Sequence, residues 1–216
     1  MGFNFLARPY RFLEWTVFGD CLQRARCAHM ERFLEAEQIL LLGEGDGRFL
    51  EALLAEGCRA DIVCYDASTD MLDLARKRAG EKGNKVRFLA GDIRNLRLPN
   101  NFRPDVIGAH FFMDCFEGKE LLAIAGIIAR EGIPGGTVVV TDFKLPGGSW
   151  AWRLRGRLLI YLMLLFFRVF AGISARRLPD IYSLVTNYGW KCRKEALFDH
   201  GLVCSWILEL PGHKRS

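Results

Sequence analysis

The chain has no block of like charges, no C-x-x-C pair and no apolar run of about twenty residues, and each absence excludes a class of function. Thirty basic residues oppose 25 acidic ones, and the net charge of +5 is scattered through small groups such as Arg76–Arg78, Arg153–Arg157 and Lys191–Lys194. Without an extended basic surface, no nucleic-acid partner is expected. Seven cysteines (Cys21, Cys27, Cys58, Cys64, Cys115, Cys192 and Cys204) are an odd number and lack metal-ligand spacing. They read as small apolar residues in a reducing cytosol, with neither a disulfide scaffold nor a metal site expected. The longest apolar run, Leu158–Phe167, has ten residues, too few to span a bilayer. "MGFNFLARPYRFLEWTVFGD" has no sustained apolar centre and no small-residue cleavage site, so it does not read as a secretory signal. Leu6 stands where myristoylation wants Ser or Thr. A cytoplasmic location is the expectation.

What the chain does have is a hydrophobic content of 50%, enough for one sizeable core in 216 residues. Residues 9–38 carry apolar side chains mostly three and four apart and predict a helix. Ile39–Leu42 predicts a buried strand, Phe49–Ala55 a helix that Gly57 ends, and "DIVCYD" (Asp61–Asp66) a second strand. Ser68 or Thr69 caps the helix that follows. "VRFLAGD" and "PDVIGAHF" give two further strands, Glu117–Arg130 a helix and Thr137–Asp142 a fifth strand. Regular alternation of strand and helix predicts βαβ units and a parallel sheet covered on both faces. "WKCRKEALF" and "LVCSWILEL" are separated by only three residues, a loop that joins antiparallel neighbours. The predicted fold is therefore α/β, a Rossmann-like and mostly parallel sheet finished by an antiparallel hairpin.

"LLLGEGDGRFL" places three glycines between a buried strand and a helix. Such a turn leaves helix N–H groups pointing outward with a partial positive charge behind them. Asp66 ends the next strand, where an acid accepts both hydroxyl protons of a ribose. A dinucleotide fingerprint needs its third glycine at the position of Arg48, and here it comes one residue early as Gly47.

Taken together, "LLLGEGDGRF", "CYDAS", "LAGDIRNL", "PDVIGAHFF" and "PGGTVVVTDF" resemble the class I S-adenosylmethionine-dependent methyltransferases over roughly residues 37–143. The layout is similar to the ubiquinone and menaquinone biosynthesis members, and the closing hairpin suits their seven-stranded sheet. The resemblance implies that Gly43, Glu44, Gly45 and Gly47 wrap the methionine part of the cofactor. It implies Asp66 on the ribose hydroxyls, Ala67 and Met71 along the adenosine, and Asp92 with the Ile93 backbone at the adenine. His110 and Phe111 then lie beside the methionine end and the acceptor. The implied cofactor is S-adenosylmethionine, leaving as S-adenosylhomocysteine, with no metal. One departure stands out. The family usually has an acid two places before the first glycine, and this chain has Leu41, leaving Glu44 or Asp46 as substitutes.

Methyl transfer needs alignment and exclusion of water, and a base only for some acceptors. His110 is the candidate base. Asp114, four residues on, either orients His110, contacts the cofactor amino group or starts the Glu117 helix. His200, His29 and His213 are weaker candidates.

The chain divides into a helical lid (1–38), a cofactor-binding core (39–143), an apolar helical insert (144–178), and a last helix with the hairpin (179–216). The insert is either a helix buried all round or one wall of an acceptor pocket facing Phe3, Phe5, Tyr10, Phe12, Trp15 and Phe18. The flanking Arg153, Arg155, Arg157, Arg176 and Arg177 are compatible with peripheral membrane contact, and an apolar helix with a homodimer. The expected partner is a small hydrophobic or aromatic acceptor. Weaker alternatives are a non-catalytic cofactor-binding or partner subunit, an aminopropyl transferase, and a nucleic-acid or protein methyltransferase. "AHFFMDCF" lacks the prolines that hold a flipped base, which counts against the last.

Overall fold

The computed structural model describes residues 18–145, 147, 149–171 and 177–212. Seven strands, β1 (Gln38–Leu42), β2 (Asp61–Asp66), β3 (Arg87–Ala90), β4 (Val106–His110), β5 (Thr137–Phe143), β6 (Lys191–Phe198) and β7 (Val203–Glu209), form one sheet in the order β3-β2-β1-β4-β5-β7-β6. The first five run parallel, and β7 inserts antiparallel between β5 and β6. The expected parallel sheet with a closing hairpin is what the chain forms.

Period-two alternation splits each central strand between two cores. Leu40, Leu42, Val63, Ile107, Val138 and Val140 pack on one face with Leu121, Ile124 and Ile128 of α5 (Gly118–Glu131) and Val185 of α7 (Ile181–Asn187). Ile39, Leu41, Cys64 and Val139 pack on the other with Phe49, Leu50 and Leu53 of α3 (Arg48–Ala55) and Leu72 of α4 (Thr69–Ala79). Because both faces are covered, β1 is apolar at four consecutive positions. Each such side chain stabilises by about 1.5–3 kcal/mol when buried. The outer strand β6 has the opposite character. Lys191, Arg193, Lys194 and Glu195 are exposed on it, and its pairing shifts between Cys192 and Lys194. Charge and a bulge together guard an edge against further pairing.

The predicted helix over residues 9–38 is corrected in its described part. It consists of α1 (Cys21–Arg26), a 3-10 turn at Cys27–His29 and α2 (Met30–Leu34), and Gln38 already belongs to β1. His29 is where regularity fails, with φ −130°. Its fully buried imidazole contacts the Ser205 carbonyl of β7 through Nε2 at 3.3 Å, so a tertiary contact overrides the helical spacing. The remainder of the expected lid, including Phe3, Phe5, Tyr10, Phe12 and Trp15, lies outside the described residues, as does His213.

The insert forms α6 (Trp150–Ala171). The reading of a helix buried all round does not hold, because Trp150, Leu154, Leu158, Tyr161, Leu162 and Leu165 are exposed. Ser68 caps α4 by accepting from the Met71 N–H at 3.3 Å, and positive φ at Gly189 follows the end of α7.

Candidate active site

β1 has β2 on one side and β4 on the other, so the chain reverses its direction of growth between β1 and β4. Open parallel sheets bind ligands at the carboxyl ends of the strands flanking such a switch point. The turn Gly43–Gly47 lies there.

Gly45 and Gly47 have different tasks. Gly45, at φ +63°, would point a Cβ into open space, with no heavy atom within 4 Å. Its backbone is therefore a surface on which a ligand can rest. Gly47, at φ +81°, would drive a Cβ to 2.6 Å from Ala75 Cα. It is a close-packing glycine that lets α3 lie against α4, a helix–helix contact, whereas the third glycine of the dinucleotide pattern serves helix–strand packing.

Asp66 is tied to this turn. Its Oδ2 accepts from the Gly45 N–H at 3.2 Å and its Oδ1 from the Ser68 N–H at 2.8 Å. Burial raises its pKa above the ordinary value, opposed by the backbone donors of Ser68, Gly45 and Ala67. The side chain is half-buried, Ala67 is exposed and Met71 is half-buried, a strip that suits a ribose and its base. Replacement of Asp66 by Ala is expected to weaken binding of S-adenosylmethionine about 10- to 100-fold in calorimetry, the cost of unpaired hydroxyls being about 1–3 kcal/mol. Unchanged affinity would put the ribose elsewhere.

Glu44 and Asp46, the two substitutes for the missing acid, are both engaged. Glu44 Oε1 accepts from the Leu50 N–H at 2.8 Å, satisfying a donor in the first turn of α3. Its carboxyl is enclosed although the residue is half-buried overall, and desolvation raises its pKa to about 7. Asp46 is bridged to Arg78 at 2.9 Å and Arg48 at 3.2 Å. Leu41 points into the second core, 1% exposed.

The raised value makes Glu44 a stability switch. The folded chain holds its proton to higher pH than the unfolded chain, so its contribution is fully present below about pH 4 and declines as pH rises toward 7. Glu44→Gln should therefore gain about 1–3 kcal/mol on the parent between pH 5 and pH 8 in urea denaturation. A constant difference would mean that the carboxyl is ionised throughout.

At the adenine end, Tyr65 donates its hydroxyl to the Asp92 carbonyl at 3.1 Å and Ile93 is buried. The Asp92 carboxylate is held by Arg94, whose Nε donates to it at 2.8 Å, and this side-chain hydrogen bond lowers its pKa. An adenine amino group would have to share that carboxylate with a guanidinium.

β4 ends at His110, which is buried on the face of Phe49 and Phe33, with ring centroids 4.4 and 5.9 Å away. His110 Nδ1 bonds Thr141 Oγ1 at 3.0 Å, and Nε2 is buried with no hydrogen-bond partner among the described residues. Burial first, then the charge of Arg26, lowers its pKa to about 3. The imidazole is thus neutral across the physiological range. Phe111 follows at φ +54°, a strained conformation for a bulky residue. Its N–H donates to the Thr141 carbonyl at 2.6 Å, Arg26 lies over its ring at 4.8 Å, and Phe143 lies 5.1 Å away.

Asp114 is not paired with His110. Its partner is Asp142 at the end of β5, whose Oδ2 accepts the Asp114 N–H at 3.1 Å and whose Oδ1 accepts from the Phe143 N–H at 3.0 Å. The two carboxyl groups lie close enough to interact, and Cys115 Sγ donates to Asp114 Oδ1 at 3.6 Å. Burial raises both pKa values, and for Asp142 the neighbouring Asp114 charge raises it further. Two adjacent buried carboxyls of this kind retain one proton between them near neutrality. Asp142 was missed as a site residue. Its signal was the change from "TVVV" to "TD", polar residues at the carboxyl end of an otherwise apolar strand. His200 is away from this cluster, stacked on Trp152 at 3.7 Å. Among the described residues, no group of three His, Cys, Asp or Glu side chains could hold a metal.

The switch point, the open glycine turn and the acid at the end of β2 suit a Rossmann-like domain for an adenosyl cofactor. Residues 39–136 match the family described as methyltransferase domain, and this match together with the relatives below supports a class I S-adenosylmethionine-dependent methyltransferase. The chain is 30% identical to a demethylmenaquinone methyltransferase of Thermus thermophilus over 67% of this chain and 65% of that protein. Against the Deinococcus radiodurans enzyme of the same name it is 31% identical over 52% of this chain. The matches thus span 65% and 45% of those relatives' own lengths. In fold the chain is similar to the N-methyltransferase NodS of Bradyrhizobium japonicum in complex with S-adenosylhomocysteine. That likeness has TM-score 0.64 and 15% identity, and covers 91% of each chain.

Proposed function

We propose that the protein transfers the methyl group of S-adenosylmethionine to a small hydrophobic or aromatic acceptor by in-line displacement. The observation that carries the acceptor class is the wall beside the ends of β4 and β5. Phe111, Phe143 and Phe18 cluster there, with centroids 5.1 and 5.7 Å from Phe143. Leu159, Ile160 and Leu202 pack behind them in the same buried apolar cluster. A flat apolar molecule fits such a wall better than a charged one.

When bound, the cofactor supplies a methyl group already activated on a sulfonium. Gly45 and the N–H groups of the turn seat it, and Asp66 fixes the ribose. The aromatic wall excludes water and holds the acceptor in line. For an acceptor carrying a proton, the Asp114–Asp142 pair is the proton acceptor. Burial lifts Asp114 to about 6 and Asp142 well above the usual carboxylate range, so the pair is a stronger base than an imidazole lowered to about 3. His110 instead has a structural part, packing on Phe49 and bonding Thr141 at the end of β4. Support for the reading also comes from the two similar proteins named demethylmenaquinone methyltransferase, a name that implies a small-molecule acceptor.

The experiment has two stages. Calorimetry with S-adenosylmethionine and S-adenosylhomocysteine should show binding of both. A mass-spectrometric screen of hydrophobic phenols, quinols, thiols and amines should then reveal one product heavier by a single methyl group. Binding without any methylated product would favour a cofactor-binding subunit, and absence of binding would remove both readings.

A further inference from the structure

α6 is held in place by its inner side. Gly156 and Ile160 are buried there, and Ile160 and the half-buried Leu159 pack with Leu22, Phe143, Leu202 and Val203. Arg155 Nη1 donates to both carboxylate oxygens of Asp199, at 3.1 and 3.0 Å, and its guanidinium lies 5.5 Å from the Trp152 ring. Trp152 in turn stacks on His200 in the turn between β6 and β7. These contacts fix the rotation of α6 about its own axis.

The consequence is on the opposite side. Trp150, Leu154, Leu158, Tyr161, Leu162 and Leu165 all face solvent, with Trp150 77% and Tyr161 63% exposed. At 3.6 residues per turn they fall within about a third of the helix circumference. Exposed Arg153 and Arg157 border this stripe on one edge and Arg155 on the other. From Lys144 to Pro179 there are seven basic residues and not one Asp or Glu. Large apolar patches on a folded surface mark interaction sites. No helix of the described residues is long and apolar enough to cross a membrane.

We propose that the outer face of α6 docks on the surface of an anionic lipid bilayer, lying in the interface plane. An apolar stripe bordered by arginines, with Trp and Tyr on it, has the composition of an interfacial helix. A second copy of the chain fits less well, because a twofold contact would bring the same arginines of both copies together. Charge complementarity selects a negatively charged surface, and the apolar stripe selects one that accepts leucines. The inference is independent of which acceptor is methylated.

Flotation of the full chain with vesicles tests it. Binding is expected to vesicles containing phosphatidylglycerol, and to fall at least tenfold on pure phosphatidylcholine or in about 0.5 M salt. The double variant Leu158→Glu, Leu162→Glu should lose flotation while keeping its circular dichroism, melting temperature and affinity for S-adenosylmethionine, since both side chains are exposed. Failure of the parent to float with anionic vesicles at low salt would overturn the proposal, as would equal flotation by the folded double variant. A lipid-free dimer that the double variant dissociates would overturn it in favour of a contact between copies.

Discussion

Gly45→Val is expected to abolish binding of S-adenosylmethionine, with affinity reduced more than about 100-fold, while the chain still folds. The physical ground is the empty space in front of Gly45, where a Cβ meets nothing within 4 Å. A side chain there occupies the surface reserved for a ligand and disturbs nothing in the ligand-free fold. The remaining cost is the positive φ of +63°, about 1–2 kcal/mol for a residue with a Cβ. Gly47→Val is the control. Its Cβ would overlap the Ala75 backbone at 2.6 Å, so it should destabilise the fold itself by separating α3 from α4. Thermal melting and calorimetry distinguish the two. A Gly45 variant that binds normally would mean that the cofactor does not rest on this turn.

Asp142→Asn should lower turnover on a proton-bearing acceptor by about 100-fold or more, the usual contribution of a positioned base. The sign of the pH dependence follows from burial. Both carboxyls hold protons above the ordinary carboxylate range, so the parent's turnover should rise with pH as the pair ionises and then level off. The variant should lose that rising limb. His110→Ala should keep it, because the imidazole is already neutral. If Asp142→Asn instead weakens cofactor binding while turnover at saturation is unchanged, the pair serves the cofactor ammonium and not the acceptor proton.

Much of this was readable without coordinates. Apolar "ILLL" followed by glycines, and "VVVT" after "GG", fix buried parallel strands because such runs are stable only between two covered faces. The acid at the end of β2 was legible because its distance from the turn is set by one helix and one strand. The three-residue loop between β6 and β7 dictated their antiparallel pairing. Positions of the strand ends were less sharp, since a backbone ladder ends where partners end. β3 spans Arg87–Ala90, whereas the strand expected from the sequence runs from Val86 to Asp92.

Local sequence alone determined the strand–helix alternation, the closing hairpin and the glycine turn, since hydrophobic period and backbone freedom are properties of neighbouring residues. The strand order came from the tertiary structure. Only the tertiary structure decided which acids meet. Asp114 and Asp142 are 28 residues apart, and the spacing of Asp114 from His110 suggested a different partner. The β4–β5 register, with His110 opposite Thr141, put the imidazole beside a hydroxyl and the two carboxyls beside each other. The same holds for α6. Its large apolar residues fall on both its inner and its outer side, and the packing of Ile160 with the ion pair of Arg155 to Asp199 chose which side faces water. Proximity across the sheet, and the burial that follows from it, set these groups' charges.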